Sequence, residues 1–114
     1  MRYKLTVEEL GELKEAFSDL LNYDSDDPSD PIDPLTYRLP DGDNCLHIAA
    51  QRGNYRAAEL LLKAGVNVNQ IGDMGSTALH YAKRKGFDDL VKLLLEHGAS
   101  MEIKDLFGKT ALDQ

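Results

Sequence analysis

The sequence predicts an all-α solenoid, in which helix–turn–helix units with extended hairpin loops stack behind an N-terminal capping helix. Three observations predict this fold. The second half of the chain repeats itself at an offset of 33 residues, and such periods are typical of solenoids. Apolar residues within each copy recur at helical spacing. The chain has no Trp and only 7% aromatic residues, so we expect an aliphatic core, and its many Leu and Ala residues suit packed helices.

The repeat aligns without a gap. Residues 42–53 (GDNCLHIAAQRG) match residues 75–86 (GSTALHYAKRKG), and residues 59–65 (ELLLKAG) match residues 92–98 (KLLLEHG). A third copy begins in the same columns with the residues GKTALD, at 108–113. A single unit of this size cannot bury its apolar face alone, so the copies are expected to stack on one another.

Each copy is predicted to contain two helices and an extended link to the next copy. The second helix carries an apolar stripe at i, i+3, i+4 spacing. The members of this stripe are Ala58, Leu61 and Leu62 in the first copy and Val91, Leu94 and Leu95 in the second. Gly65 and Gly98 follow the stripes, at the place where a helix commonly ends in a left-handed residue that glycine adopts without a steric penalty.

On these motifs the chain resembles the ankyrin-repeat family. The family's T-P-L-H-x-A pattern appears at residues 44–49, 77–82 and, cut short, 110–113, and its G-A-D-V-N pattern appears at residues 65–69 and 98–102. None of the three copies has the proline of the first pattern, and Asp113 stands where the third copy would have histidine. The resemblance implies a protein-binding fold without catalytic activity.

The resemblance also implies a division of the chain. Residues 39–114 would hold the repeats, as copies at 39–71, 72–104 and a partial 105–114. Residues 1–38 would hold the capping helix and an acidic, proline-rich segment. The third copy reaches only about one helical turn before Gln114, which leaves two interpretations open: an abrupt native terminus, or an ordered region cut short.

The capping helix is predicted from Thr6 to about Asn22. Thr6 and Glu9 have the spacing of a capping box, in which each side chain bonds the other residue's amide. An apolar stripe follows at helical spacing, formed by Leu10, Leu13, Phe17, Leu20 and Leu21. Because a repeat stack needs a polar-faced cap at its ends, we expect this stripe to cover the first repeat.

Acidic residues are concentrated in the first third of the chain. The formal net charge is −7, and residues 1–40 contain ten acidic but only four basic residues. Residues 23–34 alone have five Asp and three Pro, a composition that forbids regular structure and favours disorder. The alternatives are a solvated linker without a role and a loop that lies against the repeats and meets a basic partner.

The residue types that carry chemistry are present but not arranged for it. His47 and His80 share one repeat column, which the ankyrin family uses for hydrogen bonds between neighbouring repeats, so a structural role is expected. His97 lies where it can bond the carbonyls at a helix end. Cys45 lies on an apolar face and is interpreted as a small buried hydrophobe. The sequence predicts no enzyme, no metal site and no cofactor.

The chain is expected to be cytoplasmic. A single cysteine fits a reducing compartment, and the N-terminus turns acidic before an apolar run develops, unlike a signal peptide. We expect no membrane association and no nucleic-acid binding, since an acidic chain repels both kinds of surface. The basic run at residues 83–85 is a weak signal for an acidic or phosphate-bearing partner, and a solvated helix end explains it equally well.

The predicted function is binding of another protein, by a chain that is monomeric on its own. The most specific hypothesis is an immunity or antitoxin protein that neutralises a basic toxin domain, and the alternative is a regulatory or scaffold protein for an endogenous signalling partner. The predicted contact residues combine the acidic segment with the positions that vary in the ankyrin family. They are Asp24, Asp26, Asp27, Asp30, Asp41, Asp43, Arg52, Asp73, Met74, Arg84, Lys85, Lys104, Leu106 and Phe107. For Leu106 and Phe107, packing against the partial third repeat is an equal alternative.

Overall fold

A computed structural model of the protein describes residues 5–114. In that range the chain forms five α-helices: α1 (Val7–Ala16), α2 (Cys45–Arg52), α3 (Tyr55–Lys63), α4 (Ala78–Lys85) and α5 (Asp88–Glu96). Short 3-10 turns occur at Asp73–Gly75 and Ala111–Asp113. Within residues 5–114 the β structure is limited to one isolated antiparallel bridge, between Arg38 and Asn44. The predicted all-α solenoid is therefore confirmed. Residues 1–4 of the predicted N-terminal region lie outside the described residues.

The helices form two layers. The inner helices α2 and α4 pack on each other, and each also packs on the outer helix that follows it, α3 or α5. The outer helices α3 and α5 are in contact, and α1 adds to this layer by packing on α3. The core between the layers is aliphatic, with Leu46, Leu61, Leu79 and Leu94 at most 1% exposed.

The repeat units begin and end as the sequence predicts. Asn44 and Thr77 cap α2 and α4, since their side chains accept hydrogen bonds from the amides of His47 and His80 at 3.0 and 3.4 Å. Gly65 and Gly98 follow the outer helices with φ of 96° and 90°. Three hairpins link the units, the first at residues 38–44, the second at 71–77 and the third at 104–110.

The N-terminal helix is shorter than predicted. The capping box is present, with the Thr6 hydroxyl accepting from the Glu9 amide and the Glu9 carboxylate accepting from the Thr6 amide, both at 3.0 Å. The helix ends at Ala16 rather than near Asn22, because Phe17 leaves helical geometry at φ −117°, ψ 20° and is fully buried. The Asn22 amide donates to the Pro28 carbonyl at 2.9 Å, so its backbone bond belongs to the following loop.

The acidic segment 23–34, called the acidic loop from here on, lies against the cap and is not disordered. Its apolar residues Ile32 and Pro34 are buried. The Tyr37 hydroxyl, shortly after the acidic loop, donates to the Leu21 carbonyl, shortly before it, at 2.7 Å. This bond joins the two ends of the loop. Composition favours disorder, but the two buried apolar residues anchor the segment, which lies against the cap.

Candidate protein-binding surface

The predicted contact residues fall into three groups: the acidic loop, the hairpins, and the exposed side of the inner helices. The loop residues Asp24, Asp26, Asp27 and Asp30 are all exposed. Within residues 5–114 none of these four forms an ion pair. The acidic loop is thus a concentrated patch of negative charge.

Hydrogen bonds within the acidic loop hold its carboxylates in place. The Asn22 side chain donates to the Pro31 carbonyl at 3.1 Å, and the Ser25 hydroxyl donates to the Asp30 carboxylate. The Asp27 carboxylate accepts from the Ser29 hydroxyl at 2.7 Å and from the Ser29 amide at 3.0 Å. These two bonds hold the pKa of Asp27 below its usual range, so this carboxylate stays charged over a wide pH range.

The hairpins present acidic and apolar residues at equivalent positions. Asp41, Met74 and Phe107 occupy the same repeat column. Met74 is 47% exposed, Leu106 74% and Phe107 69%. Leu106 and Phe107 therefore do not pack into the third repeat, which was the alternative interpretation. The Leu106 amide donates to the Met74 carbonyl at 3.0 Å, so the second and third hairpins lie side by side and their apolar residues are neighbours.

Asp43 does not lie where a partner could contact it. Asp43 is only 3% exposed. Its carboxylate accepts hydrogen bonds from the Gln51 side chain, the Asp73 amide and the Tyr81 hydroxyl. The prediction of Asp43 as a contact residue was wrong, because its carboxylate turns into the interface between the first two repeats. Asp73, whose backbone it bonds, is half-buried.

The basic residues on the inner helices are partly engaged within the chain. Arg52 forms a bidentate pair with Asp19, with nitrogen–oxygen distances of 3.2 and 2.7 Å. Arg84 lies over the Tyr81 ring at 5.5 Å from its centroid and donates twice to the Gln114 side-chain oxygen, at 3.1 and 2.8 Å. Lys85, and Lys104 at the start of the third hairpin, are exposed. The cationic contacts that remain open to a partner therefore lie toward the second and third repeats.

The histidines have the structural roles that the repeat column predicts. The Nε2 atom of His47 bonds the Gln70 carbonyl at 2.8 Å, and that of His80 bonds the Lys109 carbonyl at 3.0 Å. The His80 bond joins α4 to the third hairpin, and the His47 bond joins α2 to Gln70, directly before the second hairpin. His97 bonds the Leu93 carbonyl at 3.0 Å through Nδ1, as predicted for a helix end.

Cys45 is buried in the core of the first repeat. Burial raises the pKa of its thiol to about 12, so it stays protonated and is a poor nucleophile or ligand at neutral pH. Among residues 5–114, no group of three His, Cys, Asp or Glu side chains is placed to hold a metal ion together. None of the helices in this range combines the length and apolarity needed to cross a membrane.

Comparison with known proteins agrees with this architecture. The sequence model for ankyrin repeats in three copies matches residues 6–105. The chain belongs to the ankyrin-repeat family. The match begins at residue 6 and so includes α1, which packs on α3 of the first repeat.

Relatives of this ankyrin chain match part of it. It is 40% identical over 70 residues to an ankyrin repeat protein of Acanthamoeba polyphaga mimivirus, covering 61% of this chain and 9% of the relative. It is 43% identical over 63 residues to an ankyrin repeat-containing protein of Treponema pallidum, covering 55% of this chain and 21% of the relative. It is also 38% identical over 60 residues to a potassium channel of Arabidopsis thaliana, covering 53% and 8%. The chain thus spans a small part of the curated relatives that it matches.

Sequence reasoning missed two features of the ankyrin surface. One is the pair between Asp19 and Arg52. The other is the inward orientation of Asp43. The sequence did contain a signal for the orientation of Asp43. Gly72 occupies the repeat column that holds Asp105 in the third copy, so the second hairpin has no acidic residue in that column. Ankyrin repeats bind other proteins, and the surface described here is the candidate for that binding.

Proposed function

We propose that this chain is a non-catalytic ankyrin module that binds a partner protein with a basic surface. The observation that carries this proposal is the acidic loop, whose exposed carboxylates form no ion pairs within residues 5–114. Charge complementarity of this kind accelerates association and suppresses wrong partners. Because the loop is already ordered by hydrogen bonds and by the buried Ile32 and Pro34, binding would cost little conformational entropy.

The remaining contacts are proposed for the hairpins and the inner helices. Apolar anchors supply most of the energy of many protein interfaces, and Met74, Leu106 and Phe107 are the exposed candidates. Asp41 would extend the acidic contact to the first hairpin, with the half-buried Asp73 at its edge. The cations of the inner helices and third hairpin would meet carboxylates of the partner. A standard interface of about 800 Å² on each side needs several of these elements together.

The most specific form of the proposal is an immunity or antitoxin protein for a basic toxin domain. Its support is the combination of the acidic surface with a family fold that needs no catalytic site. None of the three relatives described above is named as an immunity protein. A regulatory or scaffold role for a signalling partner is the second candidate, favoured by the small share of each longer relative that this chain matches.

Co-purification with a basic protein encoded beside this gene tests the proposal. The test variant replaces the four loop carboxylates by amides (Asp24→Asn, Asp26→Asn, Asp27→Asn and Asp30→Asn). We expect it to slow association at least tenfold at low ionic strength and to flatten the salt dependence. The control replaces four exposed carboxylates elsewhere (Glu8→Gln, Glu15→Gln, Glu96→Gln and Glu102→Gln).

The matched control separates the loop from net charge. Both variants lose four negative charges, so an equal fall in association rate would contradict a specific role for the acidic loop. A partner without a basic surface would contradict the proposal as a whole. For the immunity role, growth of cells that express the basic protein should be restored by this chain and not by the loop variant.

A further inference from the structure

The three hairpins differ in how their turns are held. In the first hairpin, the Asp41 carboxylate accepts from the amide two residues further on, at 2.9 Å. In the third hairpin, Asp105 accepts from the amides two and four residues further on, at 2.9 and 3.0 Å. The second hairpin has Gly72 in the column of Asp105 and Met74 in the column of Asp41. It therefore lacks the local carboxylate that holds the other two turns.

Asp43, from the first repeat, supplies the missing carboxylate. Its Oδ1 atom accepts from the Asp73 amide at 2.8 Å, across the interface between the repeats. Gly72 makes this approach feasible, because a Cβ atom at that position would collide with Asp43 Oδ1 and lie 2.9 Å from the His47 ring. The Asp43 carboxylate thus takes the place of the carboxylate that the second hairpin lacks. Only a glycine at position 72 leaves room for it.

Other bonds fix the direction of the Asp43 carboxylate. The Tyr81 hydroxyl donates to it, at 3.0 and 3.1 Å from its two oxygens. The Gln51 side chain donates to Oδ2 at 3.0 Å. A buried carboxylate with three such donors has one orientation, since turning it would leave charged oxygens without partners in a site closed to water.

Met74 directly follows Asp73, whose amide Asp43 holds. Its φ of 56° is the only positive value among the non-glycine residues of the described range. An unbranched side chain rarely adopts this left-handed conformation, and where it occurs the surrounding structure enforces it. The Met74 carbonyl in this conformation accepts from the Leu106 amide at 3.0 Å. The exposed Met74 side chain is thereby placed next to the exposed residues of the third hairpin.

We infer that Asp43 is a positioning residue, which fixes the second hairpin so that Met74, Leu106 and Phe107 form one preformed apolar contact surface for the partner protein. This inference rests on the proposed function, because the surface serves a purpose only if a partner binds there. It assigns to Asp43 a part in binding without a contact of its own. Preforming the surface lowers the entropy lost on binding.

Amide hydrogen exchange tests the positioning role without a partner. Asp43→Ser removes the carboxylate and introduces the residue that the second repeat has in the same column, Ser76. Gly72→Ala leaves the carboxylate intact but displaces it. In both variants we expect the Asp73 and Leu106 amides to exchange at least tenfold faster, while amides in the helices keep their protection.

Tyr81→Phe is the graded comparison: it removes one of the donors that fix the direction of the carboxylate but leaves the bond to the Asp73 amide, so we expect a smaller acceleration than in Asp43→Ser. Unchanged exchange at Leu106 in both test variants would overturn the inference. So would an equal acceleration throughout the stack, since Asp43 would then support the whole fold rather than one hairpin. An acceleration as large in Tyr81→Phe would also overturn it.

Binding to the co-purified basic protein provides the second arm. Asp43→Ser and Met74→Ala should each weaken binding about tenfold, and the double variant should be no weaker than either alone, because both remove the same placed side chain. Additive losses would overturn the positioning role. If the wild-type chain binds no basic protein, the proposed function fails, and the exchange result still decides whether Asp43 positions the hairpin.

Discussion

The N-terminal cap (residues 5–37) and the repeat stack (residues 38–114) are held by different interactions. The stack has a continuous aliphatic core and buried histidines that bond the next hairpin. The cap contributes only five buried apolar side chains to this core, and it is also joined to the stack by ion pairs, such as Arg56 with Glu12 at 2.7 Å and Lys63 with Glu9 at 2.8 Å. Because the cap contributes fewer buried side chains than the stack, we expect the part of the molecule that carries the acidic surface to open more readily than the stack.

Phe17→Ala is expected to have the largest effect on the cap. Phe17 is fully buried, and truncating a buried Phe to Ala typically costs about 3–5 kcal/mol. Because a terminal unit contacts only its neighbour, the cap should unfold locally while the stack persists. Hydrogen exchange should show lost protection in α1 and retained protection in α4.

Leu79→Ala is the matched comparison from the stack. Leu79 is also fully buried, and its truncation typically costs about 2–5 kcal/mol. Here the loss should appear in both repeats at once, as a lower midpoint of a single denaturant transition. If Phe17→Ala instead lowers the protection of α4 as much as that of α1, the cap and the stack form one cooperative unit.

The stability of the stack should fall as the pH drops below about 6.5. His47 Nδ1 accepts from the Asn44 amide at 2.9 Å, and Nε2 bonds the Gln70 carbonyl, so the neutral ring is required. Burial lowers the pKa of His47, although Asp43 lies 3.9 Å from Nδ1 and opposes that effect. The unfolded state therefore binds the proton first, and stability falls by up to about 1.4 kcal/mol per pH unit below the unfolded value.

Urea unfolding between pH 7.5 and 5.5 measures this loss above the range where carboxylates titrate. His47→Gln should flatten the pH dependence, because Gln keeps a donor for the Gln70 carbonyl and does not titrate. His97→Gln, the same substitution at an exposed histidine, is the comparison variant. Equal slopes for the wild type and His47→Gln would show that another group is responsible.

Thr6→Ala should affect the cap by a smaller amount. The Thr6 hydroxyl accepts from the Glu9 amide at 3.0 Å, and loss of such an N-cap costs about 1 kcal/mol. We expect faster amide exchange in the first turn of α1 and no change in α2 or α4. Thr6→Ser keeps the hydroxyl and should behave as the wild type does; if it fails to, the effect arises from the lost methyl group.

The sequence was sufficient to predict the stack, and it was less informative about the cap. Repetition at a fixed period identifies the structural glycines, helix caps and histidines of the stack, because each of these positions occurs in two copies of the sequence. The cap has no second copy. Its helix ends at Phe17 because that ring packs inward, a tertiary effect that the uninterrupted helical spacing of Leu20 and Leu21 conceals.

The orientation of Asp43 was beyond the sequence for a related reason. Its column is a surface column in the ankyrin resemblance, and the residues that draw it inward lie in the next repeat. Tyr81 offers a hydroxyl and Gly72 offers room. Only the packed pair of repeats brings these residues together. Asp43 is therefore not one of the partner-contact residues that composition and the family pattern suggest.

The ion pair between Asp19 and Arg52 is expected to give the smallest effect. The bidentate hydrogen bonds that Arg52 donates lower the pKa of Asp19. The stabilisation of the folded state by this pair is therefore present at neutral pH and is lost as the pH falls through the lowered pKa. Both side chains are substantially exposed, at 61% and 38%, so Asp19→Asn should cost only about 0.2–1 kcal/mol.

Salt distinguishes this pair from the apolar anchors. In cap opening measured by hydrogen exchange, the difference between Asp19→Asn and the wild type should shrink as ionic strength rises from 0.05 to about 1 M. The effect of Phe17→Ala should not shrink, because burial of an apolar ring is not screened. If the Asp19 effect persists at high salt, its carboxylate serves the fold through hydrogen-bond geometry rather than charge, and the cap is less different from the stack than the exposed pairs indicate.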